Sequence, residues 1–501
     1  MSWKKEFLKN TGWVILISNL MRACSFIGTL ILARILSPSD YGVVGIALAV
    51  TTFVEMLGDF GFSIYLVQKN PLKKSDLDTV WTCQVCVGAL QAVALGGSAS
   101  LVASFYRLEA LFPVLLWLSA SSFILGLKNV GVVLFQKEMQ FNKEFHLRVT
   151  PKIVGVVLAI FTAYFLRNYW AIIVGVFAQR ACEVVLSYVV TTFRPRFCVD
   201  QIRNVMKFSL WVYINTSLVF IANRSGELLL GKFKGSVSAG IYSLSYSVAT
   251  LVTSELAEPI GRVSLPSYSK MRRDRGSLSE GYLHLLSGMC FIGLPLCLGI
   301  AITAPVSVPL LLGSQWLEAV FPLQILSLAA FFRILQSNWP PIFLASGRPQ
   351  PVTWLLSMKV LIFLPSFSLF ARHWGTVGGC MAVLISEAIM APTSIFFCTR
   401  FLRLSLWDVW GGTWRAFFGG AVMGFSLWWI MTQIKLQGFF DSQLLFLVFL
   451  CFVGACLYFL TVFSLWRLSS KNDMSIEHNL LSFLSILGYK LRGIVREHKS
   501  A

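Results

Sequence analysis

"LARILSPSDYGVVGIALAV", residues 32–50, runs apolar to Arg34, breaks at Ser37-Pro38-Ser39-Asp40, and is apolar again from Gly42. Pro and a Ser/Asp cluster between two apolar runs mark a tight turn, and a Ser or Asp there caps the helix that follows. The stretch therefore reads as a hairpin between two helices.

The hairpin sits in a chain built from such runs. Of its 501 residues, 56% are hydrophobic and only 13% charged, and the mean hydropathy is +0.71. That balance belongs to an integral membrane protein. Runs of about 20 apolar residues, enough to cross about 30 Å of hydrocarbon, recur along the sequence. The expected fold class is an all-α integral membrane protein. The first run, Trp13 to Ala33, is too long for a signal-peptide core and lacks a small-residue cleavage pattern, so it reads as the first span. A net charge of +19 would suggest nucleic acid for a soluble chain. In a membrane chain it is read loop by loop, and no nucleic-acid partner is expected.

Breaks at Pro, Gly and charge divide the chain into about 14 transmembrane spans. They lie near 13–33, 42–66, 79–103, 112–134, 150–166, 170–191, 209–231, 240–260, 281–303, 319–338, 351–371, 376–399, 413–434 and 442–466. With the N-terminus inside, about 30 Lys and Arg fall on the inner side and about 7 outside, which sets both termini in the cytoplasm. After Trp466, Ile476, Leu480, Phe483, Leu484, Leu487, Leu491 and Ile494 recur at helical spacing opposite Lys490, Arg492 and Lys499. That amphipathic tail suits the inner leaflet, a partner helix or a solvated end.

The opening hairpin has a counterpart. In "LGKFKGSVSAGIYSLSYSVAT", residues 230–250, Lys232 precedes Gly240 by eight positions, as Arg34 precedes Gly42, at an offset of 198 residues. Six helices separate the copies, so both would point the same way, as parallel repeats about an axis along the membrane normal.

Ionisable residues inside spans are costly and usually face a bundle interior or a wet cavity. The basic ones are Arg22, Arg180, Arg224, Arg333 and Lys359; the acids are Glu55, Asp59, Glu183, Glu227, Glu255, Glu258 and Glu387. Helical spacing puts Arg22 on a face with Ser18, Ser25 and Thr29, and stacks Thr51, Glu55 and Asp59. In the counterpart, Tyr213, Ser217, Arg224 and Glu227 share one face, and Tyr242, Tyr246, Thr250 and Thr253 line the next helix. These stripes point to a polar cavity. Arg180 with Glu183, and Arg224 with Glu227, stand three apart and suit structural pairing. Arg22 and Arg333 have no acid three or four residues away, which favours a ligand role. A guanidinium offers a planar fork for phosphate oxygens, so the expected ligand is an anionic phosphate or pyrophosphate bound by Arg22, Ser18, Ser25, Arg224, Arg333 and Lys359. Glu55 and Asp59, one turn apart, repel when both ionised, which makes them candidates for ion coupling. Pro259, Pro295, Pro305, Pro309, Pro340, Pro341 and Pro365 mark places where second-half helices can bend. The eleven cysteines lie mostly in apolar runs, and Cys83 and Cys86 form no metal-ligand set, so no metal and no cofactor are expected.

The segments "LARILSPSDYGVVGIALAVTTFVEMLGDFGFSIYLVQ" (32–68) and "ELLLGKFKGSVSAGIYSLSYSVATLVTSELAEPIGRVSLPSYSKMRRD" (227–274) resemble the first hairpin and the seventh and eighth helices of bacterial polysaccharide flippases. These are the O-antigen, colanic-acid and teichuronic-acid translocases of the multidrug/oligosaccharidyl-lipid/polysaccharide superfamily. The resemblance implies two six-helix bundles around a central cavity, with two added helices. That divides the chain into an N-lobe (1–207), a C-lobe (208–400), helices 13 and 14 (401–467) and the tail (468–501). It implies alternating-access flipping of a polyprenyl-pyrophosphate-linked oligosaccharide across the bacterial inner membrane for surface polysaccharide, by a protein that is not an enzyme. Implied partners are that lipid-linked substrate, membrane lipid, glycosyltransferases and a polysaccharide polymerase, with the protein itself a monomer. Arg22 matches the family's first-helix arginine and its role of gripping pyrophosphate; family members carry an Asp-Asn pair where this chain has Gly226-Glu227.

Three other functions compete. A drug or small-cation antiporter calls for acidic binding surfaces. A membrane-embedded polymerase or ligase calls for a large outward loop with catalytic groups, whereas the longest outward loops here hold a handful of residues. A scaffold for glycan enzymes leaves the immersed bases without a role.

Overall fold

The computed structural model describes residues 2–58, 62, 66, 69, 72–137, 140–200, 202–271, 275–348, 350–435 and 443–469. Among them there are helices and no strand. In chain order they are α1 (Ser2–Ile35), α2 (Pro38–Leu57), α3 (Lys74–Tyr106), α4 (Leu111–Gly126), α5 (Val133–Lys137), α6 (Phe141–Leu166) and α7 (Trp170–Val190). They continue as α8 (Ile202–Met271), α9 (Arg275–Leu311), α10 (Val320–Gln336), α11 (Trp339–Ala345), α12 (Gln350–Leu402), α13 (Leu406–Lys435) and α14 (Gln443–Leu468). Asp59 and the tail from 470 lie outside the described residues, as do the side chains of Ser18, Tyr213, Glu255 and Glu258.

Eight helical segments among the described residues are long and apolar enough to cross a membrane. Two glycines divide longer helices. Gly235 (φ 83°, ψ −177°) breaks α8 into 202–234 and 236–271, and Gly375 (φ 60°) breaks α12 into 350–374 and 376–402. Gly235 occupies a backbone region open essentially to glycine alone. By contrast, α9 runs unbroken through Pro295, Pro305 and Pro309.

The hairpin that opened the sequence is a capped turn. Ser37, in extended conformation, accepts from the Asp40 amide at 3.2 Å, while Asp40 Oδ2 accepts from the Ser37 amide at 3.0 Å, and Pro38 takes the first helical position. This reciprocal box satisfies two amides that a helix start leaves orphaned. The end of α1 is closed from elsewhere. Gln315 Nε2 donates to the Ala33 and Leu36 carbonyls at 2.6 and 3.0 Å, and Trp316 Nε1 donates to Ala33 at 2.7 Å. Trp316 also meets Tyr41 edge to face, 5.2 Å between centroids.

The described residues fall into two compact units. One comprises Met1–Leu244, Leu311–Pro322 and Leu356–Ala382; the other comprises Ser245–Leu310, Leu323–Leu355 and Val383–Ala501. In the first, Val43, Ile46, Leu95, Leu115, Ile173 and Ala239 form a buried core from α2, α3, α4, α7 and the second limb of α8. In the second, Phe291, Met423, Leu427, Phe446, Leu450 and Tyr458 join α9, α13 and α14.

The two copies of the hairpin motif meet inside the first unit. A Cβ on Gly42 would collide with the Ser236 backbone, and one on Gly240 would collide with the Pro38 backbone. Gly42 and Gly240, and Pro38 and Ser236, are each related by the 198-residue offset. The contact is thus reciprocal, as in an isologous interface, although both surfaces belong to one chain. The matching bases also play matching parts: Arg34 Nε donates to the Leu311 carbonyl ending α9 at 3.0 Å, and Lys232 Nζ to the Phe105 carbonyl near the end of α3 at 2.8 Å. A cation at a helix C-terminus satisfies an orphan carbonyl and opposes the helix dipole.

Valine at Gly42 or Gly240 should lower stability by roughly 1–3 kcal/mol, since the clash is with backbone that has little room to yield. Gly97→Ala, whose Cβ meets nothing within 4 Å, should leave stability unchanged or raise it. Thermal unfolding of the detergent-purified variants reads both.

Candidate functional site

The immersed charges are partnered across helices, between residues far apart in sequence. On α7, Arg180 turns to α2: its Nη1 lies 2.5 Å from Glu55 Oε1 and its Nη2 3.3 Å from Glu55 Oε2. Ser122 donates to the same carboxylate at 2.7 Å, and Nη1 also reaches the Ser121 and Ser122 hydroxyls at 3.2 and 3.1 Å. One turn on, Glu183 accepts from Lys128 Nζ, beyond the end of α4, at 2.5 Å. The expected Arg180–Glu183 pairing is therefore corrected. Spacing of three puts both on neighbouring faces of α7, but each finds an opposite charge on another element, Glu55 on α2 and Lys128 just past α4. Glu55, expected as a candidate for ion coupling, is the bridge holding α2 to α7.

Lys128 and Glu183 also border a cavity of about 290 Å³ in the first unit, with Met21, Glu144, Arg148 and Gln179 among its walls. Arg148 and Glu144, one turn apart on α6, pair along its wall at 2.7 Å. Two bases and two acids leave this lining formally neutral.

Arg22 lies half-buried on α1 beside Met21, with its interactions inside the protein. Ser25, a turn later, donates to the Met21 carbonyl at 3.0 Å. Thr51 and Thr250 likewise return their hydroxyls to carbonyls four residues back, so these members of the polar stripes satisfy their own helices. Tyr242 is buried against Phe367.

Arg224 behaves differently. Its side chain is 47% exposed and, among the described residues, makes one long contact, 3.4 Å from Nη1 to Glu227 Oε1. Glu227 is buried and accepts from Ser243 at 3.1 Å. The expected pair of Arg224 and Glu227 is present, yet a guanidinium has five donors, and most of these remain for another acceptor.

In the second unit Arg333, with no acid near it in sequence, meets one in space. Its Nε donates to Glu387 Oε1 at 2.9 Å and its Nη1 to the Tyr246 hydroxyl at 2.6 Å. Gln336 completes the shell by donating to Glu387 Oε2 at 2.8 Å. Glu387 is 1% exposed, so its charge depends on these donors. The absence of an acid at three or four positions thus did not leave Arg333 unpaired. Lys359, which belongs to the first unit, is half-buried and engaged in an interaction.

Among the described residues, no group of three His, Cys, Asp or Glu is placed to hold a metal ion. Ser121, Ser122 and Gln336 were missed by sequence reasoning because hydroxyls and amides recur throughout the spans without a distinguishing spacing; Tyr246 was placed on a polar stripe, but its bond to Arg333 was not foreseen.

Comparison with known proteins gives a consistent picture. Residues 31–321 match the family described as polysaccharide biosynthesis protein. An uncharacterized membrane protein in the cps region of Klebsiella pneumoniae is 28% identical over 407 residues, covering 80% of this chain and 84% of that protein. The lipopolysaccharide biosynthesis protein WzxC of Escherichia coli K12 is 22% identical over 400 residues, covering 79% and 81%. Among solved structures, the lipid II flippase MurJ in an inward closed conformation superposes with a TM-score of 0.74 at 14% identity, covering 91% of this chain and 99% of that one. At that identity the likeness shows a shared fold.

Removing Glu387 should cost more than removing the whole pair. Glu387→Ala leaves Arg333 without its counter-charge and should destabilise by about 3–5 kcal/mol, whereas the Arg333→Met/Glu387→Leu double variant should lose clearly less. A double-mutant cycle on thermal unfolding measures the difference.

Proposed function

Because this chain belongs to the polysaccharide biosynthesis protein family, we propose that it translocates a polyprenyl-pyrophosphate-linked oligosaccharide across the bacterial inner membrane during surface polysaccharide synthesis. The observation that carries this reading is Arg224: a guanidinium 47% exposed, whose contact among the described residues is one long one to Glu227. A group so costly in hydrocarbon is retained where an anion needs it. A diphosphate takes several guanidinium donors at once, and the planar fork matches its oxygens.

In this reading Arg224 and Arg22 grip the diphosphate, with Ser18 and Ser25 beside Arg22. Lys359 adds positive charge, while Arg333, neutralised by Glu387 and bonded to Tyr246, keeps its helices in register. The sugars follow through an aqueous path, read by hydroxyl and aromatic groups. The helices cross the membrane as fourteen spans, with both termini cytoplasmic and with residues 1–207 and 208–400 as the two lobes of an alternating-access cycle. Glycosyltransferases supply the loaded lipid and a polymerase consumes it outside. The names of relatives support the substrate class, since WzxC is a lipopolysaccharide biosynthesis protein and MurJ a lipid II flippase. Against a small-cation antiporter stands the same exposed arginine, which repels a cationic cargo.

In a strain lacking its own flippase, this protein should restore surface polysaccharide. Arg224→Ala and Arg22→Ala should each reduce that rescue at least tenfold while inserting at normal levels. Full rescue by both variants, or export of a cationic dye without rescue, overturns the assignment.

A further inference from the structure

The second unit carries a groove that the proposed translocation does not use. It has a volume of about 490 Å³ and lies where α11 and the start of α12 meet the final turns of α12. Leu355 and Phe343 are its buried floor, 0% and 3% exposed. Trp354 and Phe397, both exposed, stand 5.6 Å apart as its wall, and Phe401 packs on Phe343 at 5.2 Å. A trough of this kind is too apolar to be left to water.

Its rim is basic. Arg400 lines the groove three residues after Phe397, and Arg348 lies with its guanidinium over Phe401, 5.7 Å from the ring centre. Arg403 follows just past the helix end. All three are exposed, and among the described residues none of them pairs with a carboxylate. Uncompensated arginines beside an apolar trough fit an amphiphile with an anionic head. In the proposed orientation this end of α12 meets the inner leaflet, where acidic phospholipids are held by basic clusters and exposed tryptophans sit at the interface.

We propose that this groove is a binding site for an anionic phospholipid, with one acyl chain against Trp354, Leu355 and Phe397 and the phosphate on Arg400 and Arg348. Arg348 is oriented by the Phe401 face, and Arg400 is carried by the rigid end of α12. The isoprenoid chain of a lipid-linked sugar shares the same chemistry of phosphate and apolar tail. It is the competing occupant.

Full-length protein purified in detergent, incubated with phosphatidylglycerol or phosphatidylcholine and examined by native mass spectrometry, tests the site. Wild type should retain phosphatidylglycerol at least fivefold better than phosphatidylcholine. Arg348→Gln/Arg400→Gln should abolish that preference at unchanged melting temperature, and Arg348→Lys/Arg400→Lys should keep most of it. Equal retention of the two lipids by wild type, an unaltered preference in the Gln variant, or displacement of phosphatidylglycerol by equimolar polyprenyl diphosphate overturns the proposal. Should the Gln variant not fold, nanodiscs with brominated phosphatidylglycerol decide. Wild-type tryptophan fluorescence should be quenched more than that of Trp354→Phe, and equal quenching overturns the assignment.

Discussion

Hydrocarbon offers a polar group no water, and that single constraint governs both the architecture of this protein and the disposition of its charges. Every helix end that meets another element must find donors or acceptors in the protein itself. The turn at Ser37 and Asp40 closes its own amides, while the end of α1 borrows Gln315 and Trp316 from far along the chain. Arg34 and Lys232, equivalent in the two copies of the motif, each cap the end of another helix. What looks in the sequence like a basic stop to an apolar run is a tertiary connection.

The same constraint sorts the immersed charges. Glu55 with Arg180, Glu183 with Lys128 and Glu387 with Arg333 are ion pairs that tie helices together. Such pairs gain little net stability over apolar packing but are severe to break, so they favour one arrangement of helices over its rivals. Among the described residues Arg224 stands apart as a loosely held guanidinium, half exposed. In the functional reading above, what distinguishes a substrate contact from a structural tie is spare donor capacity.

The glycines at 42 and 240 supply the other structural necessity. Backbone meets backbone there, reciprocally, between two stretches of similar sequence. A side chain at either position would hold the hairpins apart and disturb the adjoining contacts of Ser39 with Ser236 and Tyr41 with Trp316. Small residues make close helix approach possible where lipid provides no hydrophobic drive to associate.

The all-helical membrane class, the hairpin and its capping residues and the repeat at an offset of 198 were legible in the sequence. Each follows from local rules: apolar length, turn chemistry and spacing. The resemblance carried by residues 32–68 and 227–274 led to the same family that residues 31–321 match. Charge partnership was not legible in that way. Helical spacing sees only three and four positions ahead, so it paired Arg180 with Glu183 and left Arg333 alone. In the folded chain their partners lie 125 and 54 residues away. The sequence by itself determined which residues are too polar for lipid. Only the tertiary structure decided which of them neutralise one another, because Coulomb attraction and hydrogen bonding act over a few ångströms of space, whatever the distance along the chain.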